Sequence, residues 1–254
     1  MSAISRRSPK GWRKTLAFTC GDPAGVGPRA VLAALRSGAL PAGVVPVLVG
    51  ESSVWKRAGW RAADGPIHDT RLGLTPPRSG APSADGGRLS AASFEESLRL
   101  VGRGLAAGIV TSPISKQSWA MAGYAWRDHT ERLAVCGADG AEMALGVPSR
   151  GLWCVLATRH VSLREAVRKV GAREVSSAAR ALDRALRRLG CRRPRLALCA
   201  LNPHGGEAGL IGGEEARLSP AAVALRREKI LLDGPLPADS AWRLHAKGHY
   251  DGLV

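Results

Sequence analysis

The fold class can be inferred from one segment, TLAFTCGDPAGVGPRAVLAAL, at residues 15–35. Its first five residues, Thr15–Thr19, form an apolar run that predicts a buried strand. A glycine-rich turn follows over Gly21–Pro28. Pro28 suits the first turn of a helix, because its missing N–H would have no intrahelical partner there. The segment therefore predicts a strand, a tight turn and a helix in succession.

The same alternation of strands and helices continues along the chain. Further strands are predicted at 44–49, 108–111, near Leu152 and near Leu196, and helices at 90–105, 163–170 and 175–189. The stretch at 65–87 is rich in Gly, Pro and Ser, which predicts an extended excursion. Strand–helix alternation of this kind predicts an α/β fold with a largely parallel sheet.

The composition is that of an ordinary folded protein. Of the 254 residues 45% are hydrophobic, and no apolar run is long enough to span a membrane. The basic start, MSAISRRSPK, lacks the apolar segment of a secretory signal, so a cytoplasmic protein is expected. The five cysteines are scattered and odd in number, which argues against a disulfide framework.

The net charge of +16 arises from 37 basic and 21 acidic residues. Such a surface attracts phosphorylated metabolites or nucleic acid. No aromatic side chains interleave with the arginine clusters, as a groove for single strands requires. Solvated arginine-rich faces are therefore the favoured interpretation, and nucleic acid is not an expected partner.

Two segments that follow strands have features of anion sites. Gly25 and Gly27 lie in the turn before a helix N-terminus, where backbone N–H groups favour negative charge. With Glu51 after the next strand, this turn loosely fits a fingerprint that, taken alone, would predict a dinucleotide site. Lys116 ends the segment TSPISK, in which hydroxyls and a lysine could hold a phosphate or carboxylate. The alternative for this segment is a helix start with Ser112 as N-cap.

A pair of histidines suggests a metal centre. His160 and His204 each follow an apolar strand-like run, which would place them at the rim of a sheet. Neutral imidazole is a common ligand for zinc, so the pair predicts a shared metal site. The alternative is that each histidine hydrogen-bonds within its own loop.

Another polar pair precedes an amphipathic helix. His129 and Thr130 are adjacent donors that could bind substrate oxygens, and Thr130 could equally be only a helix cap. His68 and His245, by contrast, lie in loop-like polar sequence and belong to no such arrangement.

Taken in order, these motifs resemble those of the 4-hydroxythreonine-4-phosphate dehydrogenases of pyridoxal phosphate biosynthesis. The similarity begins with TCGDPAGVGP at 19–28 and covers nearly the whole chain. NPH at 202–204 and GPLPAD at 234–239 are its most specific segments. The other matching segments are SADGG (83–87), TSPISK (111–116), HTE (129–131), TRHVSL (158–163) and LNPHGGE (201–207).

The resemblance implies the fold of isocitrate and isopropylmalate dehydrogenases. Such proteins have two α/β domains with a cleft between them, and a homodimer completes the site. We therefore expect a first domain over residues 1–125 and a second over 126–254, which would carry the metal-binding histidines. The resemblance also implies NAD or NADP and a divalent metal (Zn, Mg or Co) as cofactors, and a phosphorylated small molecule as substrate.

Members of this family oxidise the secondary alcohol of 4-phosphooxy-L-threonine. The resulting 3-oxo acid loses carbon dioxide and gives 3-amino-2-oxopropyl phosphate. By residue match, His129 and Thr130 would contact substrate, while His160 and His204 would bind the metal. A divalent cation on the substrate hydroxyl favours alkoxide character and so eases hydride transfer to the nicotinamide.

The chain departs from the family pattern at a few positions. It ends at Val254, just short of the segment with the family's third metal-binding histidine, so we expect a C-terminally truncated chain without the elements that return to the first domain. Smaller departures are Arg29, often acidic in the family, and Asp128, in place of a glycine. Two alternatives stay open: an inactive truncated member and, from charge alone, a basic nucleic-acid-binding protein.

Overall fold

The computed structural model forms two compact units, each with its own sheet and hydrophobic core. The first unit extends to residue 136 and the second begins at residue 144 of the described chain. The residues that the structure describes are 15–78, 80–136, 144–147, 151–159 and 161–254.

The first unit alternates strands and helices as the sequence predicts. Its elements are β1 (Thr15–Thr19), α1 (Gly27–Arg36), β2 (Val45–Val49), α2 (Ser52–Arg57), β3 (Ile67–His68), α3 (Ala84–Gly102), β4 (Gly108–Val110), α4 (Lys116–Met121) and α5 (His129–Leu133). The four strands that the structure describes here are all parallel, in the order β3-β2-β1-β4. Phe18 of β1 pairs with Leu48 on one side and Val110 on the other.

Successive side chains of a strand point to opposite sides, so this sheet has two apolar faces. Helices cover both of them. Phe18 packs with Leu32 of α1 and Trp55 of α2, whereas Ala17 packs with Leu100 of α3. The chain moves from β1 through β2 to β3 and then returns to place β4 on the other side of β1. This reversal creates a topological switch point at the carboxyl ends of β1 and β4, where α/β sheets bind ligands.

Helix α5 packs on the first unit. Arg132 Nε lies 2.6 Å from Glu95 Oε1 of α3, and the ring of His129 contacts that of Phe94. The first compact unit therefore continues past the boundary that we expect at residue 125.

Among its described residues the second unit has five strands, and β5 is the one antiparallel to its neighbour. Its elements are β5 (Leu145–Val147), β6 (Leu152–Cys154), α6 (Leu163–Lys169), α7 (Ala172–Arg188), β7 (Arg195–Cys199), α8 (Glu215–Leu218), α9 (Pro220–Arg227), β8 (Leu231–Leu236), α10 (Ala238–Ala246) and β9 (Gly252–Leu253). The strand order is β5-β6-β9-β7-β8. Strand β9, which follows the others in sequence, thus lies at the centre of the sheet.

Both faces of the second sheet are covered as well. Leu182 of α7 packs so closely over β9 that a Cβ on Gly252 would lie 2.8 Å from Leu182 Cδ2. On the other face, Ala241 of α10 packs against Ala197 and Leu253. Close approach of helix and strand therefore requires glycine at position 252.

Two histidines outside the recognised motifs have structural partners. Trp153 N–H donates to Nε2 of the buried His245 at 2.9 Å, and His245 Nδ1 lies 2.8 Å from Tyr250 O. His245 thereby ties α10 to β6 and to the residues before β9. His68 Nε2 lies 2.9 Å from Glu96 Oε1 and joins β3 to α3.

These elements confirm the α/β fold with largely parallel sheets. Helix α3 begins at Ala84, within the stretch that we expect to be extended, because Ser83 Oγ caps it by accepting the Gly86 N–H at 3.1 Å. Within the described parts of the chain, no helix is both long and apolar enough to cross a membrane.

Candidate functional site

The carboxyl edge of the first sheet collects several of the polar segments found in the sequence. Parallel strands end at the same edge, so the turn after β1 and the loop after β4 are neighbours there. Asp22 N–H donates to Pro113 O at 2.8 Å, and Ser112 N–H donates to Thr19 Oγ1 at 3.0 Å. These bonds join the two loops across the topological switch point.

Two glycines allow this close approach. Gly21 has a φ of +62°, and a Cβ there would lie 2.4 Å from Pro113 O. A Cβ on Gly27, the first residue of α1, would lie 3.0 Å from Ser112 Cβ. At Gly25 the nearest atom would be 3.4 Å away, which is ordinary contact. Gly27 therefore brings the N-terminus of α1 against the β4 loop, whereas Gly25 is not required for packing.

Ser112 is a candidate site residue whose role differs from the helix cap considered above. Helix α4 begins at Lys116, and its cap is Ser115, whose Oγ accepts the Ser118 N–H at 3.1 Å. The N-cap interpretation of Ser112 is therefore wrong. Its buried hydroxyl has no hydrogen-bond partner among the described residues and lies against Gly27. An unpaired buried hydroxyl is unfavourable by about 1–3 kcal/mol, so it is a candidate for contact with a ligand.

A cavity of about 290 Å³ opens beside the glycine turn at the N-terminus of α1. Arg29 of α1 and Arg57 of α2 contribute to its lining. The Arg57 guanidinium donates to the carbonyls of Pro23, Pro76 and Pro77, which fixes its position. Two guanidinium groups and a helix N-terminus make this an environment for an anion.

Glu51 does not occupy the position of a ribose-binding acid. It is buried, and its carboxylate accepts the N–H groups of Leu72 at 2.8 Å and Gly73 at 3.3 Å. The Thr70 hydroxyl donates to it at 3.4 Å. The carboxylate thus holds the loop after β3, so the dinucleotide fingerprint taken alone would assign Glu51 wrongly.

Lys116 lies beside the segment that begins α5. Its Nζ is 3.3 Å from Asp128 Oδ2, while Asp128 Oδ1 accepts the Glu131 N–H at 2.9 Å and caps the helix. Asp128, not Thr130, is therefore the cap. The structure brings Lys116 together with the segment of His129 and Thr130, which the family resemblance assigns to substrate.

An aromatic frame holds His129. Its ring meets that of Phe94 with centroids 4.5 Å apart and that of Trp119 with centroids 5.3 Å apart. Its Nε2 is buried and has no hydrogen-bond partner in the described part of the chain. Burial lowers the pKa of this imidazole, although Asp128 acts in the opposite direction. His129 is therefore neutral at neutral pH, with one nitrogen able to donate and one to accept.

The second unit presents His204 on a turn with unusual backbone geometry, Pro203–Gly209 after β7. Residues 204–208 all have positive φ, and three of them, His204, Glu207 and Ala208, are not glycine. A left-handed conformation costs about 1–2 kcal/mol for each non-glycine residue. Such a turn persists only where surrounding contacts hold it.

Asn202 fixes the neck of this histidine turn. Its backbone N–H donates to Glu215 Oε1 at 2.7 Å, and its Nδ2 donates to Glu214 Oε2 at 2.8 Å and to Glu215 Oε2 at 3.0 Å. A Cβ on Gly206 would lie 2.7 Å from Glu215 Oε2, and one on Gly212 would lie 2.5 Å from Glu214 Oε2. Both glycines therefore leave room for the carboxylates. We call Asn202, Glu214 and Glu215 the neck clamp; sequence analysis did not identify it.

The other expected metal ligand, His160, lies outside the described residues. Strands β6 and β7 are both parallel to β9 between them, so the described residues that follow each strand leave the same edge of the sheet. No group of three or more His, Cys, Asp or Glu within the described residues is placed to hold a metal. Burial raises the pKa of the Cys154 and Cys199 thiols, which disfavours the thiolate form that binds metals.

Comparisons with known proteins give the family. The family described as pyridoxal phosphate biosynthetic protein PdxA matches residues 43–254. A 4-hydroxythreonine-4-phosphate dehydrogenase of Maricaulis maris is 34% identical, over 94% of this chain and 78% of its own length. A D-threonate 4-phosphate dehydrogenase of Salmonella typhimurium is 31% identical, over 95% of this chain and 80% of its own length. The solved structure of a 4-hydroxythreonine-4-phosphate dehydrogenase from Klebsiella pneumoniae matches with a TM-score of 0.83 and 30% identity, over 97% of this chain and 80% of that one.

Parallel α/β sheets with polar loops at their carboxyl edges, in a chain similar to dehydrogenases, define an oxidoreductase of the α/β class. More narrowly, the chain belongs to the pyridoxal phosphate biosynthetic protein PdxA family. The resemblance inferred from the ordered motifs is thereby confirmed.

Proposed function

We propose that this chain oxidises the secondary alcohol of 4-phosphooxy-L-threonine with NAD or NADP and releases carbon dioxide, giving 3-amino-2-oxopropyl phosphate. The observation that carries the proposal is the convergence of the glycine turn, Lys116 and the segment of His129 at one sheet edge. Relatives named for 4-phosphorylated four-carbon acids support this substrate class. The reaction would serve pyridoxal phosphate biosynthesis.

The charges at this edge suit such a substrate. It carries a phosphate and a carboxylate, and Lys116 and Arg29 supply cationic groups within a chain of net charge +16. We assign contact with an anionic group, of substrate or cofactor, to Lys116 and to the α1 N-terminus with Gly25 and Gly27. Opposite charge in a partly desolvated site would favour binding.

The reaction has two balanced steps. A hydride leaves C3 of the substrate for the nicotinamide while the C3 hydroxyl loses its proton, which gives a 3-oxo acid. The C1–C2 bond then breaks, its electron pair remains at C2 as carbon dioxide leaves, and a proton completes the product. The neutral imidazole of His129 and the hydroxyl of Thr130 would orient the substrate by hydrogen bonds to its polar groups.

A divalent metal, when bound, supplies positive charge that stabilises the negative oxygen formed in both steps. We assign its binding to His204 and His160. The exposed imidazole of His204 at the sheet edge fits this role. Imidazole donors favour zinc or cobalt over magnesium, which prefers oxygen ligands.

Formation of NADH or NADPH from 4-phosphooxy-L-threonine tests the proposal. We expect turnover that a chelator abolishes and that zinc or cobalt restores. His129→Ala should lower kcat/KM by roughly 100-fold or more, because it removes a group that orients the substrate. A folded, metal-loaded protein without turnover on any 4-phosphorylated hydroxy acid would refute the dehydrogenase assignment and favour an inactive family member.

D-threonate 4-phosphate is the second candidate substrate, because a relative of similar identity is named for it. The two compounds differ at C2, where one carries an ammonium group and the other a hydroxyl. The ratio of kcat/KM values, measured in competition, decides between them.

We further propose that the protein acts as a homodimer. Sedimentation equilibrium with and without substrate tests this assignment. Salt-sensitive binding of RNA or DNA in place of turnover would instead favour the nucleic-acid alternative.

A further inference from the structure

We propose that the neck clamp is a positioning device that holds His204 in the geometry of a metal ligand. The inference rests on the proposed role of His204 in metal binding. Asn202 precedes His204 by only two residues, and the clamp joins Asn202 to the residues at the far end of the same loop.

The loop needs such a constraint because its local sequence does not favour its backbone. His204, Glu207 and Ala208 adopt a left-handed conformation that L-amino acids seldom take. Within the loop, Ile211 N–H donates to Gly206 O at 3.0 Å, which closes the turn on itself. The far side of the loop is open to solvent, and Leu210 is 86% exposed. The clamp is therefore a contact that fixes both ends of the loop at once.

The neck clamp fixes the orientation of Asn202 as well as the closure of the loop. Asn202 donates from its backbone and from its side chain, so its position and its orientation are both fixed. Pro203 follows, and its ring restricts φ to a narrow range. The backbone that leads to His204 is therefore held in one direction. The loop does not have to change conformation before the imidazole can bind a metal.

The residue types of the clamp are specific. Two adjacent carboxylates, Glu214 and Glu215, repel each other unless donors lie between them, and the Asn202 amide supplies those donors. An aspartate at position 202 would bring a third carboxylate into the same space. The clamp also requires glycine at positions 206 and 212, because any side chain there would displace the carboxylates.

The experiment uses the full chain and Co²⁺ alone as probe. Co²⁺ affinity is titrated by visible absorption, and amide hydrogen exchange reports on the loop through the Ile211 N–H. The disruptive variant is Asn202→Asp, and Glu214→Gln is a milder one that retains the Glu215 bonds. The triple variant N202D/E214Q/E215Q restores hydrogen bonds with donors and acceptors exchanged. Glu228→Gln, which loses an ion pair with Arg180 elsewhere in the unit, is the matched control.

We expect Asn202→Asp to weaken Co²⁺ binding by roughly 10- to 100-fold and to accelerate exchange of the loop amides. Glu214→Gln should give smaller changes in the same direction. The triple variant should recover affinity and protection together, and Glu228→Gln should change neither.

Three results would overturn the inference. Wild-type Co²⁺ affinity with accelerated loop exchange would show that the metal site does not depend on the clamp. Unchanged exchange in Asn202→Asp would show that the clamp does not hold the turn. Equal Co²⁺ binding by wild type and His204→Ala would remove the proposed ligand itself, and the loop exchange data distinguish that failure from the other two.

Discussion

The glycine turn of the first unit and the histidine turn of the second reach a left-handed backbone in different ways. In the glycine turn, the left-handed position is Gly21, which has no side chain to obstruct it. In the histidine turn, His204, Glu207 and Ala208 take that conformation, and the neck clamp holds them. The first conformation is thus specified by residue type and the second by contacts made farther along the chain.

The largest effect is expected when the residue type of the glycine turn is changed. Gly21→Ala would combine a left-handed alanine with a Cβ 2.4 Å from Pro113 O. We expect a loss of roughly 3 kcal/mol or more in unfolding free energy, measured by denaturant titration. The matched control is Gly25→Ala, which meets only ordinary contacts and should change stability little. Equal losses in the two variants would mean that the steric distinction between these glycines is wrong.

A second, smaller effect is expected on substrate binding at the carboxyl edge of the first sheet. Lys116→Met keeps the length of the side chain but removes its charge, so KM for the phosphorylated substrate should rise roughly 10- to 100-fold while kcat changes less. Steady-state kinetics measure this, with Lys56→Met on α2 as the control for loss of one positive charge. A similar rise in both variants would indicate a general effect of net charge instead of a contact.

Low pH should weaken the histidine turn and leave the glycine turn unchanged. The hydrogen bond from Asn202 lowers the pKa of Glu214. Burial acts to raise the pKa of Glu215, but hydrogen bonds from Asn202 and from the backbone of Glu215 and Leu201 together outweigh it, and the net shift is downward. A lowered pKa means that the clamp contributes fully above the ordinary glutamate value of 4.5 and loses its contribution as pH falls through the lowered value. We expect the Ile211 amide to lose protection in that acid range.

The glycine turn provides the internal reference for this measurement. The bond beside this turn from Ser112 N–H to Thr19 Oγ1 involves two groups that do not titrate. The Ser112 amide should therefore stay protected at the pH where Ile211 is released, as hydrogen exchange can show. Simultaneous release of both amides would indicate global unfolding and no specific acid sensitivity of the clamp.

The smallest expected change is a gain in unfolding free energy, opposite in sign to the loss expected at Gly21. Ala208→Gly removes the penalty of a left-handed alanine, while the added freedom of glycine in the unfolded chain offsets part of the gain. We expect stabilisation of up to about 1 kcal/mol by thermal or denaturant unfolding. Ala216→Gly in α8, where the backbone is helical, should instead destabilise by a similar amount. Destabilisation by Ala208→Gly would argue against strain in the histidine turn.

The sequence predicts well those features that depend on local pattern. Strand Thr15–Thr19 is confirmed, as are the helix start at the glycine turn and the parallel α/β fold. Periodicity and turn residues act over a few positions, so they are visible without a structure. The ordered motifs also give the family correctly.

Features that depend on distant contacts were not predictable. The cap of α4 is Ser115 and not Ser112, because several serines near a helix start fit the same local pattern. The neck clamp requires Asn202 and Glu215 to meet through a folded loop, which no short pattern encodes. The metal role of His160 stays a prediction, since that residue lies outside the described part of the chain.

The central position of β9 has a consequence for how the second unit is made. Strands β5 and β6 can pair with each other, and so can β7 and β8, but the two pairs are joined only when β9 enters between them. Because β9 is translated after all of them, a ribosome-bound chain would hold two half-sheets with open inner edges. The four described strands of the first unit, β1 to β4, all precede residue 111, so they can pair with one another earlier in synthesis. We therefore expect a slow folding phase in the second unit, during which its exposed strand edges depend on protection from aggregation.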